Sequence, residues 1–206
     1  CFREMRNPKA TVAGEAERSY AERGHLVVSN SRNHRMDPTV PSVIPEVNHD
    51  HFRLINHQPY EGAIVTNPNC STIFLAMALA PLHRAFGVEA VAVTTMQAIS
   101  GAGYPGVSAM DIMGNVVPFI GGEEEKIETE SQKILGEFDA DSVTPADVQI
   151  SAQCTRVPVM DGHTESVSVR LSERVGIDQV REALDSYRGM PQMRKLPSAP
   201  AHPILI

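Results

Sequence analysis

The sequence has 206 residues, enough for one large domain or for parts of two, and 42% of them are hydrophobic. Its formal net charge of −7, from 18 Lys and Arg against 25 Asp and Glu, argues against nucleic acid or an anionic membrane as the main partner. The longest apolar run, residues 73–82, is too short to cross a bilayer. Three cysteines without repeated spacing indicate free thiols and a reduced, cytoplasmic setting.

The first third of the chain alternates predicted helices and strands, as a parallel α/β layer does. Helical composition over residues 13–23 ends at a glycine, and residues 26–30 form a predicted buried strand. Prolines in the polar stretch 30–45 predict a loop, and residues 48–57 are a candidate short helix. A second apolar strand is predicted over residues 62–66.

Beyond this strand the pattern changes to long strands crossed by helices, so we place a domain boundary near residue 69, between residues 1–69 and 70–206. The later elements predict an α+β domain on an antiparallel or mixed sheet. Residues 160–162, Met-Asp-Gly, predict a hairpin turn that joins the last two strands. The predicted elements are helices over 71–86, 122–136 and 176–187, and strands over 88–99, 148–159 and 164–171.

Cys70 occupies the junction between the strand at 62–66 and a long apolar helix. At such a junction unpaired backbone N–H groups and the helix dipole favour negative charge, and therefore favour a nucleophilic thiolate. The neighbouring Asn69 adds an amide donor of the kind that stabilises a developing oxyanion. The alternative for a single cysteine is a small, buried hydrophobic side chain.

Two further candidates flank the predicted turn at residues 160–162. His163 follows a glycine at the start of a strand, where its ring can be aimed rigidly. A cysteine and a distant histidine are a known nucleophile–base pair. Arg156, before the turn, could bind a carboxylate or phosphate through two parallel hydrogen bonds. A surface histidine and a surface strand charge are the alternatives.

Three other patterns carry weaker signals. Glu123 and Lys126 are spaced i and i+3 on a predicted helix, where a solvated charged face is the alternative. The Gly-Ala-Gly sequence at 101–103 is compatible with close approach of a phosphate or a nicotinamide. The cluster of His49, His51 and His57 matches no metal-site spacing, so no metal is predicted.

Five blocks of this sequence together resemble the aspartate-semialdehyde dehydrogenase family, in the branch found in archaea, fungi and some bacteria. The blocks occur in the family's order and spacing, and the resemblance extends over residues 11–206. Their combination is far more specific than any single motif. The five blocks are residues 41–48, 67–72, 97–103, 121–130 and 156–163.

The resemblance implies a partial Rossmann-type NADP-binding domain in residues 1–69 and a catalytic and dimerisation domain in residues 70–206. The second domain would resemble that of glyceraldehyde-phosphate dehydrogenase, with a mixed, largely antiparallel sheet. NADP is the implied cofactor, and a homodimer or homotetramer is the implied assembly. The family's N-terminal glycine fingerprint and its final segment are not found, so we expect a fragment. The residues implied to line the nicotinamide end of NADP are Ser100, Gly101, Ala102 and Gly103.

The resemblance also implies roles for eight residues. Cys70 is the implied nucleophile, and His163 is the implied acid–base residue. Gln97 is implied to orient the substrate, and Asn69 to hold the acyl oxygen or phosphate. Arg156 is implied to bind the substrate carboxylate, and Glu123 its amino group. Lys126 and Arg35 are implied to bind the phosphate.

The implied reaction is the NADP-dependent reductive dephosphorylation of aspartyl phosphate to aspartate semialdehyde through a Cys70 thioester. It belongs to the biosynthesis of lysine, threonine and methionine. A reductase of an acyl-CoA such as malonyl-CoA could use the same cysteine and histidine. A Cys–His hydrolase without a nucleotide, or an inactive fragment, is the alternative from another class. The expected partner is therefore a small-molecule substrate rather than nucleic acid or membrane.

Overall fold

The computed structural model describes residues 8–206, and side chains from residue 12 onward, so Cys1 lies outside the described residues. No helix in this range is long and apolar enough to span a membrane. Two 3-10 helices occupy His49–His57 and Ile99–Ala102. The α-helices are α1 (Pro8–Glu22), α2 (Pro45–Asn48), α3 (Cys70–Phe86), α4 (Ala109–Ile112), α5 (Glu123–Ile134), α6 (Ile177–Asp185) and α7 (Met190–Met193). The strands are β1 (Leu26–Ser29), β2 (Ala63–Thr66), β3 (Val88–Gln97), β4 (Glu137–Asp139), β5 (Ser142–Thr144), β6 (Gln149–Arg156) and β7 (Thr164–Leu171).

The first two strands pair in parallel, as the alternation of helix and strand predicts. β1 lies beside β2 in the register Leu26↔Ala63, and α1 packs against both strands. After α1 the chain turns at Gly24, whose φ of +84° favours a residue without a Cβ. β2 is buried along its whole length, whereas Leu26 and Val28 of β1 are exposed. The predicted α/β layer is therefore confirmed for this part of the chain, but the prediction of a buried strand is wrong for β1, whose side chains Leu26 and Val28 are exposed.

α3 forms the centre of the main hydrophobic core. Its side chains Leu75 and Leu79, one turn apart, are buried, and the helix packs against α5, α6, β3 and β7. Ile44 and Val47, which precede α3 in the chain, belong to the same core. The domain boundary near residue 69 stays a prediction, because side chains from both sides of it pack together.

The part of the chain after residue 69 contains a three-stranded mixed sheet in the order β6-β3-β7. β3 pairs in parallel with β6, in the register Gln97↔Arg156, and antiparallel with β7, in the register Met96↔Thr164. β4 and β5 form a separate antiparallel pair. The predicted mixed sheet is confirmed, with two antiparallel pairs and one parallel pair among the described strands after residue 69.

The predicted hairpin at residues 160–162 is wrong, because β6 and β7 do not pair with each other. β3 lies between them, and the connection from β6 to β7 crosses the carboxyl end of β3. Backbone hydrogen bonds from Ile99 N to Val159 O (2.8 Å) and from Ser100 N to Met160 O (3.1 Å) hold this crossover. The Met-Asp-Gly sequence does lie between the two strands, as predicted. β3, however, offers both of its edges for pairing, so β6 pairs with one edge and β7 with the other.

α5 joins the loop at residues 30–45 to the sheet. Lys133 is buried, and its Nζ donates hydrogen bonds of 2.7–2.8 Å to the carbonyl oxygens of Arg35, Asp37 and Val40. Burial lowers the pKa of Lys133 to about 8, against the opposing charges of Asp37 and Glu130. Three carbonyl acceptors thus replace the water that the ammonium loses, and they fix the loop on the helix.

His51 makes a second buried contact between the same two regions. Its Nε2 donates to Gly136 O at 3.1 Å, so its Nδ1 accepts from Asn48 Nδ2 at 3.0 Å and the ring is neutral. Burial lowers the pKa of His51 from 6.5, and the nearby Lys133 charge also lowers it, while the Gly136 contact and Asp50 oppose the shift. A protonated ring would place an Nδ1–H against the Asn48 amide donor.

We predict that this part of the fold loses stability at acidic pH through His51. Because the folded-state pKa is depressed, the neutral ring contributes fully above about pH 6.5, and the contribution is lost as pH falls through the folded-state pKa. His51→Gln should lower the free energy of unfolding by about 1–3 kcal/mol at pH 7.5 and flatten its decline towards pH 5. Urea unfolding at both pH values measures this. The exposed His57→Gln is the matched control, and an equally steep decline in His51→Gln would contradict the assignment.

Candidate active site

Asn69 organises the turn that presents Cys70. Asn69 is the N-cap of α3, and its Oδ1 accepts hydrogen bonds from Ser71 N (3.0 Å) and Thr72 N (3.3 Å). Cys70 is the first residue of the helix, and its side chain is exposed. The sequence therefore folds locally so that a free thiol stands at the positive end of a buried helix.

The His163 ring lies against this thiol. Its Nε2 is 3.2 Å from Cys70 Sγ, and its Nδ1 accepts a hydrogen bond from Ala98 N at 3.0 Å. A nitrogen that accepts carries no proton, so the proton of the neutral ring is on Nε2 and faces the sulfur. Burial lowers the pKa of His163, and the Arg156 charge lowers it further, against the opposing charge of Glu123. The geometry makes His163 a neutral donor towards Cys70.

Two buried side chains from the ends of neighbouring strands border the pair. Gln97 ends β3 and Arg156 ends β6, directly opposite each other in the parallel register. Arg156 Nη1 donates to Ala98 O at 2.7 Å, which leaves its other N–H groups for a ligand. At Gly101 a Cβ would lie 2.8 Å from Arg156 Nη1 and 2.9 Å from His163 Cε1. The chain after β3 can approach this site closely only because position 101 is glycine.

Glu123 connects α5 to the same turn. Its Oε2 accepts from Asn69 Nδ2 at 2.8 Å, and its Oε1 accepts from Lys126 Nζ. Burial by itself raises the pKa of Glu123, but hydrogen bonds and charge from Lys126, with hydrogen bonds from Asn69 and Gln97, outweigh it, so the pKa is lowered. Glu123 is buried, so the alternative that it belongs to a solvated helix face is wrong.

The two cations predicted to bind phosphate line one cavity of about 740 Å³, together with Arg32 and the backbone of the glycines at 121–122. Lys126 reaches it from α5. Arg35 is buried, with Nη1 3.1 Å from Glu130 Oε1 and Nη2 2.9 Å from Asn30 O. Its Nε has no hydrogen-bond partner among the described residues. Glu125 and Glu130 also line the cavity, so an anionic group would be bound there through the three cations Arg32, Arg35 and Lys126.

The remaining predicted positions lie where the chain leaves β3. Ser100, Gly101, Ala102 and Gly103 are exposed, and Gly103 has a φ of +69°. No described atom lies within 4 Å of a Cβ built at Gly103. This segment therefore presents open backbone next to the His163 ring.

Sequence reasoning missed two groups at this site. Glu130 is 2% exposed, and its Oε2 accepts from Asn69 N at 2.6 Å while its Oε1 pairs with Arg35. Its position seven residues after Glu123, on the same helix face, was the signal that could have found it. The Ala98 N–H that orients His163 has no sequence signal, because every residue except proline carries that donor. Among the described residues, no group of three or more His, Cys, Asp or Glu side chains could hold a metal ion.

Comparisons with known proteins give consistent matches. Residues 79–199 match the family described as semialdehyde dehydrogenase, dimerisation domain, and residues 8–55 match semialdehyde dehydrogenase, NAD binding domain. The chain is 52% identical to the aspartate-semialdehyde dehydrogenase of Methanothermobacter thermautotrophicus over 201 residues, and 48% identical to that of Schizosaccharomyces pombe over 206. Each match covers 96% of this chain and 58% of the relative, so the chain spans little more than half the length of these relatives.

The fold is also similar to solved structures. The crystal structure of aspartate semialdehyde dehydrogenase with NADP from Candida albicans matches with a TM-score of 0.85 and 40% identity, over 94% of this chain and 57% of that one. An aspartate semialdehyde dehydrogenase II from Vibrio cholerae, in complex with ASA, matches with a TM-score of 0.74 and 29% identity, over 86% of this chain and 58% of that one.

We predict that Cys70 is the reactive thiol of the folded protein, and neither Cys154 nor Cys1. Cys154 is buried, and burial raises its pKa to about 11, with added repulsion from Glu123, Glu124 and Glu165 against a lowering hydrogen bond with Thr95. Iodoacetamide at pH 7.5 should therefore label Cys70 at least about tenfold faster than Cys154, as followed by peptide mapping. Labelling in 6 M urea, where both thiols are accessible, is the control. Faster labelling of Cys154 or Cys1 under native conditions would refute the assignment.

Proposed function

The chain belongs to the semialdehyde dehydrogenase family, and from this premise we propose that it carries the catalytic site of an NADP-dependent aspartate-semialdehyde dehydrogenase. The reaction would convert aspartyl phosphate to aspartate semialdehyde, in the biosynthesis of lysine, threonine and methionine. The observation that carries the proposal is the 3.2 Å contact between Cys70 Sγ and His163 Nε2, at a site that also holds the buried Arg156. The cavity lined by Arg35 and Lys126, called the anion cavity below, is linked to this site through the hydrogen bonds of Glu130 to Arg35 and to Asn69 N. A hydrolase would need the thiol and the ring but not this set of cations.

Cys70 is the proposed nucleophile. Its sulfur, as the thiolate that the start of α3 favours, attacks the acyl carbon of aspartyl phosphate and the C–O bond to phosphate breaks. Inorganic phosphate leaves with the bonding electrons and takes up the proton that the thiol has lost. Arg35 and Lys126 line the cavity that would receive this group. The product of this step is a thioester on Cys70. The similarity to relatives named aspartate-semialdehyde dehydrogenase favours an acyl phosphate over an acyl-CoA as the substrate.

His163 is the proposed acid. Because Ala98 N–H occupies its Nδ1, the ring presents a proton at Nε2 towards the acyl carbon held on Cys70. That N–H can donate to the negative oxygen that develops there, and to the sulfur when the C–S bond breaks and the aldehyde leaves. The buried Asn69 side chain, at the start of α3, is a further donor close to the same carbon.

The substrate would be oriented by side chains at the ends of β3, β6 and α5. Arg156 keeps free N–H groups for the α-carboxylate, since only its Nη1 is engaged with Ala98 O. Glu123, whose pKa is lowered and which is therefore ionised, would accept from the amino group. Gln97, buried at the end of β3, would orient the acyl group between them.

The residues around Gly101 fit a nicotinamide. A side chain at position 101 would collide with Arg156 and His163, and the open backbone of 100–103 leaves a flat ring room to approach the acyl carbon. When bound, NADPH supplies the hydride that reduces the thioester. The match of residues 8–55 to an NAD-binding domain supports the same cofactor. Residues 1–69 would then be part of that domain, and 70–206 the catalytic and dimerisation domain.

The proposed assembly is a homodimer or a homotetramer. Residues 79–199 match a dimerisation domain, and the open face of the sheet carries small exposed side chains, with Ala92 between Ser151 and Ser168. Such a face can pack closely against a second copy.

Sedimentation equilibrium of Ala92→Arg should show monomers, and a retained dimer would contradict this interface.

We also propose a cytoplasmic location, because Cys70 and Cys154 are both free thiols.

Kinetics of the intact protein test the proposed roles of Arg156 and Lys126. Arg156→Lys keeps the charge but loses paired hydrogen bonding to the carboxylate, so turnover and semialdehyde affinity should both fall, by about ten- to a hundredfold. Lys126→Ala should instead raise the KM for phosphate more than that for semialdehyde. The measurement is the rate of NADPH formation in the phosphorylating direction, with phosphate and semialdehyde varied separately.

The matched control is Arg181→Lys, because Arg181 is an exposed arginine on α6. It should leave both Michaelis constants unchanged. If Arg156→Lys chiefly raised the KM for phosphate, the division of roles would be wrong. If the unaltered protein formed no NADPH with semialdehyde and phosphate, the proposed function itself would fall.

A further inference from the structure

α5 carries a row of buried or half-buried charged side chains along one face. The row is spaced three, four and three residues apart, so its members stack on the side that faces the turn before α3 and the loop at 30–45. Two members, Glu123 and Lys126, have roles in the proposed reaction. The other two, Glu130 and Lys133, have none so far. The members of the row are Glu123, Lys126, Glu130 and Lys133.

Glu130 uses each of its carboxylate oxygens for a different segment. Oε1 accepts from Arg35 Nη1 at 3.1 Å, and Oε2 accepts from the backbone N–H of Asn69 at 2.6 Å. The two partners are far apart in sequence and lie on different segments. Since the carboxylate is 2% exposed, each oxygen depends on its protein partner in place of water.

The contacts of Glu130 differ from those of a simple anchor. Lys133, one turn further along α5, already holds the loop at 30–45 through three of its backbone carbonyls. Glu130 instead contacts the guanidinium that lines the anion cavity and the residue directly before the nucleophile. A single buried charge therefore touches both functional ends of the site.

We propose that Glu130 is a positioning residue that couples the Arg35 guanidinium to the Asn69–Cys70 turn, so that the anion cavity and the nucleophile share one geometry. The inference rests on the proposed function for the meaning of the cavity, but the coupling itself involves only residues of this chain. Removing Arg35 leaves Glu130 as an unpaired buried charge, which must take up a proton or rotate. In either case the Asn69 N–H loses its charged acceptor, and the contact between Cys70 and His163 loosens.

The test is a double-mutant cycle read by the rate of Cys70 alkylation with iodoacetamide, without substrate or nucleotide. A glutamine at 130 has one oxygen and one NH₂ group, so one of the two donors, Arg35 Nη1 or Asn69 N, would face an NH₂ group in place of an acceptor oxygen. Glu130→Gln should slow alkylation about fivefold or more, and Arg35→Met should also slow it. The double variant should be no slower than Glu130→Gln alone, because the coupling passes through Glu130.

Two controls separate coupling from loss of structure. Glu128→Gln changes another glutamate of α5, whose carboxylate accepts from the backbone N–H of Ala152 rather than from Asn69, and it should leave the alkylation rate within about twofold, as should the exposed Glu182→Gln. Circular dichroism and Tm establish that each variant is folded. If Glu130→Gln does not fold, Arg35→Met decides: an unchanged alkylation rate overturns the inference.

The other outcomes are also decisive. Additive effects in the double variant, or a slowing in Glu128→Gln equal to that in Glu130→Gln, would reduce Glu130 to a structural anchor. Because the cycle needs neither NADP nor semialdehyde, its failure is distinct from failure of the proposed function. If the protein turns over but the effects of the two substitutions are additive, only the proposed coupling is refuted. If the protein does not turn over but the cycle is non-additive, only the proposed reaction is refuted.

Discussion

The hydrogen bonds around Asn69 hold Cys70 in place, and most of the candidate site depends on them. Its Oδ1 caps α3, its Nδ2 donates to Glu123, and its backbone N–H donates to Glu130. A cap alone would fix only the start of a helix. The two carboxylates connect that start to α5, which carries Lys126 and faces Arg35, so the thiol and the anion cavity have a common support.

A backbone donor decides the protonation of His163. The Ala98 N–H points at Nδ1, so the ring proton faces Cys70 in the neutral state. Burial and the neighbouring Arg156 charge favour that neutral state. The imidazole is thereby prepared to donate before any ligand arrives, which is the form of preorganisation that lowers reaction barriers at least cost in reorganisation.

The site is compact because strand ends meet. β3 and β6 run in parallel, so Gln97 and Arg156 end side by side, and the crossover to β7 brings His163 over the same ends. Gly101 admits the chain between Arg156 and His163. A hairpin between β6 and β7 would have separated His163 from the end of β3, and with it from Cys70.

The sequence by itself determined the local elements and the chemical character of the site. Periodicity and capping residues located α3 and most strands to within a few residues, because these signals act between near neighbours in the chain. The resemblance to a family paired Cys70 with His163. The strand order, the direction of the Ala98 N–H and the double contact of Glu130 were decided only by the tertiary structure. Each depends on which distant segments meet, and backbone donors and strand edges are the same in nearly every residue, so local sequence does not specify their partners.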